Sequence, residues 1–146
     1  MDMSVEQELE SLFPNLKTSP YSIKSPFDPG YNCIAWAAGD SERWWEPDSW
    51  GYYYWPSEAP RTYSLEAYIR AFESLGFVEC TDDSLESDLK KIAIYAVGFR
   101  PTHAARQMRS GFWSSKIGKS VDIEHTLEGL EGSFYGQVAL IMRRHE

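Results

Sequence analysis

The sequence predicts an α+β protein, and three observations lead there. Apolar residues recur at helical spacing only in the N-terminal half, runs rich in β-branched and aromatic residues occupy the C-terminal half, and two of those runs flank a short turn containing glycine. Helices followed by a sheet of about four to five antiparallel strands is the arrangement this order implies. Ser4 with Gln7 three residues later has the form of a capping box, and Val5, Leu9, Leu12 and Phe13 then repeat as one helical face until Pro14. From Lys17 to Asn32 the chain is rich in Ser, Pro, Asp, Gly and Asn and reads as a loop ending in a helix cap at Asn32. Residues 33–38 form a short helix that Gly39 can stop.

Residues 41–63 carry Trp44, Trp45, Trp50, Tyr52, Tyr53, Tyr54, Trp55 and Tyr63, broken by Pro47, Pro56 and Pro60 and without a steady period. This is an irregular segment packed by its aromatic rings. Ser64 caps a clearer helix, with Leu65, Tyr68, Ile69, Phe72 and Leu75 on one face and Gly76 as its stop. Phe77 to Cys80 makes a short strand, TDDSLESD a solvated loop, and KIAIYAVGF a strand buried on both faces. THAARQM and FWSSKIG then form an antiparallel pair around the turn at RSG, and GQVALIMR adds a further strand.

A chain of 146 residues fits one domain and one core. Its 22 acidic against 14 basic residues give a formal charge of -8, which repels phosphate backbones and anionic lipid, so neither nucleic acid nor membrane is an expected partner. The N-terminus MDMSVEQELE is charged from its second residue, and no apolar run approaches the length of a membrane span. The expected location is the cytoplasm, or wherever a secretion system that needs no classical signal delivers the chain. Two cysteines in this setting, Cys33 and Cys80, are expected as free thiols. Cys33, Cys80, His103 and His125 contain no close ligand pair, so no metal or other cofactor is expected.

The stretch GYNCIAWAAGD places Cys33 in the first turn of the short helix, where unpaired backbone N–H groups favour thiolate over thiol. The alanines at 35, 37 and 38 let that helix lie close on a sheet, and His103, directly after the buried KIAIY strand, is the candidate base. Against this stands the commoner use of free cysteine as a small buried hydrophobe.

NCIAWA, followed by KIAIYAVG and THAARQ, resembles the papain-like fold in its compact bacterial form, the NlpC-type and CHAP-type cysteine peptidases and amidases. The HAARQ and later G-W-SK-G and I-H elements are also similar to a bacterial group with no assigned activity. The resemblance spans about residues 20–143 and implies a nucleophilic Cys33, a base at His103, and a third polar residue on the next strand that orients the imidazole. A three-residue turn at Arg109, Ser110 and Gly111 gives that place to Ser115; a two-residue turn gives it to Ser114. The family usually has His, Asn, Asp or Gln there, and His125 substitutes if the loop after Ile117 folds back. Tyr21 stands where NlpC-type enzymes carry a tyrosine that helps the oxyanion, although the paired glycines are missing, and Tyr31 is an equal candidate. Asn32 reads first as a cap, and Arg106 and Lys116 as surface charges or holders of a substrate carboxylate.

These features predict a cysteine hydrolase or acyltransferase acting on a peptide or other acyl substrate, through an acyl-enzyme on Cys33. Two rivals stand beside it. One is a catalytically inactive binding module of the same fold whose Trp and Tyr segment recognises a partner. The other is a small acidic interaction protein of the immunity type, whose charge meets a basic protein surface.

Overall fold

The computed structural model describes residues 3–25, 28–117 and 120–146, so Gly118 of the pattern quoted above lies outside the described residues. The element order begins with helix α1 (Val5–Leu12), a single 3₁₀ turn (Pro14–Lys17), strand β1 (Tyr21–Ser25), helix α2 (Cys33–Ala37) and helix α3 (Leu65–Glu73). It continues through β2 (Val78–Cys80), β3 (Leu89–Val97), β4 (Arg100–Gln107), β5 (Trp113–Lys116), β6 (Asp122–His125), a second 3₁₀ turn (Glu128–Leu130) and β7 (Gln137–His145). All strands join one antiparallel sheet in the order β1-β6-β5-β4-β3-β7-β2.

The α+β class is as expected; the strand number is not. Seven strands among the described residues replace four to five. One addition, β1, falls inside the segment read as loop, because Tyr21 and Ile23 are its only large apolar residues and it pairs on one side alone, with β6. The other, β6, has four residues and lies beyond the last recognised hairpin. No helix among the described residues is long and apolar enough to cross a membrane.

Helix ends follow local chemistry. At α1, Ser4 Oγ accepts from Gln7 N–H at 3.1 Å while Ser4 N–H donates to Gln7 Oε1 at 2.8 Å. At α2, Asn32 Oδ1 accepts from the N–H of Ala35, and the chain turns at Gly39, φ +87, with Asp40 N–H reaching back to the Ala35 carbonyl.

The sheet divides the interior into two clusters rather than the single core expected. On one face α2, α3 and the aromatic segment cover Ile92, Ile94, Ala104 and Met142; on the other, Phe13, Leu16, Leu130 and Tyr135 cover Ala93, Tyr95, Ala105 and Ile123. β3, central and covered on both sides, accordingly lacks the alternation of a half-buried strand.

Candidate functional site

Strand alternation decides where the two predicted catalytic side chains point. In β4, Ala104 and Arg106 belong to the face that α2 covers: Ala104 is in the cluster of Ile34 and Tyr68, and the Arg106 guanidinium lies 3.8 Å above the Trp36 ring of α2. His103 and Ala105 take the other face. The His103 ring stacks on Tyr135, centroids 4.1 Å apart and planes 10° apart, and meets Tyr95 edge-on.

The hairpin register brings a serine to that ring. Met108 N–H donates to the Phe112 carbonyl at 2.8 Å and Gly111 stands at φ +91, which is the three-residue turn. Arg106 then pairs with Ser114, and Ser115 shares the face of His103. β6 folds back beside β5 and adds His125.

The result is a chain buried up to its last carbonyl: His103 Nε2 to Ser115 Oγ at 2.8 Å, Ser115 Oγ to His125 Nε2 at 2.7 Å, and His125 Nδ1 to the Thr126 carbonyl at 2.7 Å. Proton positions follow from its far end. A carbonyl only accepts, so His125 carries its proton on Nδ1 and accepts from Ser115 at Nε2. Ser115 in turn accepts from His103 Nε2–H. That leaves His103 Nδ1 a bare lone pair, and it is buried without a partner. Burial holds His103 well below the usual imidazole range and lowers His125 to about 4, so both rings are neutral at pH 7.

Cys33 does begin a helix, as the sequence predicts, with Asn32 as its cap. Cys33 packs against the cluster beneath α2, and among the described residues no hydrogen bond joins its sulfur to His103. Burial pushes the Cys33 thiol up to about 11; the N–H groups of Ala104, Ile34 and Cys33 itself pull the other way, and the Glu46 charge adds to the rise. The predicted pair is thus near in space without being joined by a hydrogen bond: the sulfur meets the backbone N–H of Ala104, next to His103, and its charge reaches Tyr135, the ring on which His103 stacks. The body of the helix packs on the Ala104 and Arg106 face of β4, while the imidazole projects from the other face beside Tyr135.

The remaining candidates scatter. Tyr21 lies on edge strand β1 and donates to Glu10 Oε2 at 2.6 Å, and Tyr31 donates to Asp122 Oδ2 at 3.0 Å beneath Lys116, so neither phenol is directed at the Cys33 sulfur. Lys116 is sealed, its ammonium bonded to the Ser120 carbonyl, and cannot hold a substrate carboxylate in this arrangement. Asn32 is structural: beyond capping, its amide exchanges two hydrogen bonds with the backbone of Trp45, 3.1 and 2.7 Å. Arg106 alone stays available. Tyr135, which fixes the His103 plane, and the Thr126 carbonyl, which fixes the tautomers, left no mark in the sequence. Among the described residues no group of three or more His, Cys, Asp or Glu side chains is placed to hold a metal ion.

The aromatic segment forms a built surface. Asp48 accepts from the N–H groups of Tyr52 and Tyr53 at 2.8 and 3.1 Å, and Arg61 bridges Asp48 to the Tyr53 carbonyl. Trp45 and Trp55 are buried beneath, whereas Trp50 is 81% exposed, Tyr52 81%, Tyr63 52% and Tyr53 44%. Residues 22–143 match a family described as a domain of unknown function, DUF7689. No curated protein and no solved structure matches the chain significantly.

Proposed function

The chain belongs to that family, whose description carries no activity, and from its own residues we propose a non-catalytic binding module of papain-like layout that takes a cationic protein partner on its aromatic segment. The observation that carries this reading is the pinned loop displaying Trp50, Tyr52, Tyr53 and Tyr63 to solvent. Both basic residues of that segment are already engaged, Arg43 with Asp40 at 2.7 Å and Arg61 with Asp48 at 3.2 Å. Glu42, Glu46 and Glu58 have no cationic partner among the described residues. Aromatic faces attract Lys and Arg side chains, and the surrounding carboxylates, within a chain of net charge -8, steer them in. Cys33 opening a helix that lies on an antiparallel sheet supports the papain-like layout.

Titration with an oligo-arginine peptide, followed by tryptophan fluorescence at low and at physiological ionic strength, tests it. Binding that weakens with salt, drops about tenfold in Trp50→Ala and is unchanged in Cys33→Ala is the expected result. Binding indifferent to Trp50 and salt would sink the proposal.

One observation favours the cysteine hydrolase as a second reading: the bare Nδ1 of His103, backed by Ser115 and His125, is what a base needs if Cys33 were brought to it. The iodoacetamide rate against pH separates the two. A midpoint near 11, indifferent to His103→Ala, belongs to the binding module; a midpoint below that of free cysteine, moved by His103→Ala, belongs to the enzyme.

A further inference from the structure

Strand β7 is longer than the strand that covers its outer side. β3 pairs with it from Gln137 to His145, whereas β2 pairs only with Ile141 to Arg143. After Cys80 the chain leaves the sheet edge and crosses toward β4: the Asp82 and Ser84 carbonyls accept from Lys91 Nζ, and the Asp83 carbonyl from Gln107 Nε2. Among the described residues no strand pairs with residues 137–140 on that outer side. Ala139 is exposed there, a bulge without a partner in β3. The Val138 N–H beside it donates to Glu131 Oε2 at 2.9 Å instead of to a strand carbonyl. An open edge of this kind is a template for one more strand.

A groove of about 710 Å³ runs along this edge, between the loop after β2 and the second 3₁₀ turn. Leu127, Val138 and Ile141 supply its apolar floor, and all three belong with the cluster of Tyr95 and Tyr135, on the opposite side of the sheet from the aromatic segment. The rim is of one sign. Glu79, Asp83, Glu128 and Glu131 line it, none forms an ion pair with a described residue, and no Lys or Arg is among the lining residues. That charge selects the occupant. A second copy of this chain, with its net charge of -8, would bring further carboxylates to the edge, whereas Lys and Arg lay their methylenes on an apolar floor and carry their charge out to an acidic rim.

We propose that the open edge of β7 takes an extended basic segment of a partner protein as a further strand. Its backbone pairs with residues 137–140, the Val138 N–H passes from Glu131 to an incoming carbonyl, and its Lys or Arg side chains lie along the groove toward the four carboxylates. This surface is separate from the aromatic segment, and either can fail without the other.

Nuclear magnetic resonance of the ¹⁵N-labelled protein tests this with the peptide acetyl-Thr-Lys-Val-Lys-Thr-amide. The backbone amides of Val138, Ala139 and Leu140 shift on titration and exchange more slowly with solvent, while the Trp50 indole signal serves as a separate report on the aromatic segment. Trp50→Ala leaves the β7 shifts as they are. The peptide with Glu in place of Lys binds at least about tenfold more weakly. Methylating every second backbone nitrogen of the peptide, in each of the two phases, keeps its charge and abolishes binding in the phase whose N–H groups face β7. Asp83→Lys with Glu128→Lys, both at exposed positions, weakens binding about tenfold. Absence of shifts at residues 138–140, or undiminished binding in the double variant, overturns the site. Equal binding by both methylated peptides overturns strand addition, and equal binding by the Glu peptide overturns the choice of a basic partner.

Discussion

Mild acid should destabilise this protein through the two imidazoles in its interior, well before its carboxylates protonate. The perturbation is a fall in pH from 7.5 to 4. His125 has its pKa lowered from an ordinary 6.5 to about 4 by burial, and His103 is lowered in the same direction by burial and by the neighbouring His125. The unfolded chain therefore takes up these protons first. Stability is intact above the unfolded value, is lost progressively as pH falls below it, and the loss from His125 is complete below about 4. At about 1.4 kcal/mol for each pH unit separating the two values, His125 alone removes about 3 kcal/mol, and His103 adds to it. That is a large share of the roughly 5–15 kcal/mol typical of a domain. Urea denaturation across this range, read by circular dichroism, should show the midpoint falling steeply from pH 6.5 to 4.5. His125→Gln, less stable at pH 7.5 because it breaks the chain to Ser115, should show a fall shallower by about one proton. A midpoint flat between pH 7 and 5, or a His125 resonance titrating near 6.5, would refute the burial and neutrality on which the tautomers were built.

Three further outcomes follow from packing. Gly136→Ala places a Cβ 2.0 Å from the Ala96 carbonyl oxygen at φ +80, so it should leave little folded protein, whereas Gly98→Ala, at φ +60 with open space around it, should cost only about 1 kcal/mol in urea melts. Asn32→Ala removes a cap together with two hydrogen bonds to Trp45 and should cost about 2–3 kcal/mol while slackening the aromatic segment, seen as a tenfold or greater rise in amide exchange at Trp45. Lys91→Met strips the buried ammonium that ties the Asp82 and Ser84 carbonyls and Glu86 to β3, and should make the acidic loop at 81–88 the first site of limited proteolysis.

What could be read from the sequence was what local chemistry decides. Ser4, Asn32 and Ser64 cap the helices they were expected to cap, Gly39 and Gly76 stop them, and Gly111 at φ +91 sets the hairpin register that puts Ser115 beside His103. The remainder depends on contacts far apart in the chain. β1 owes its existence to β6, about a hundred residues later, and neither has enough apolar periodicity to declare itself. The face that α2 would cover was equally hidden, since Trp36 and Tyr31 select it by meeting Arg106, Ser114 and Lys116 on two other strands. So the placing of Ser115 beside His103 was legible, and the cover that each face of β4 receives was not.

The different surroundings of thiol and imidazole come down to the parity of a strand. Side chains in β4 alternate between the two clusters, so Ala104, not His103, stands under the helix that carries Cys33, and a shift of one position would exchange them. Nothing about the helix compensates. α2 has only five residues, one of its free N–H groups is already taken by Asn32, and the remaining donors around the sulfur are outweighed by its burial. On the proposed binding module, a thiol in that position behaves as the small hydrophobe that cysteine most often is. The imidazole, for its part, is closed in by Tyr95, Tyr135 and Ser115 and ties three strands together. Packing accounts for most of both groups but leaves one polar atom over: the Nδ1 of His103 stays buried without a partner, and that atom is where the two functional readings part.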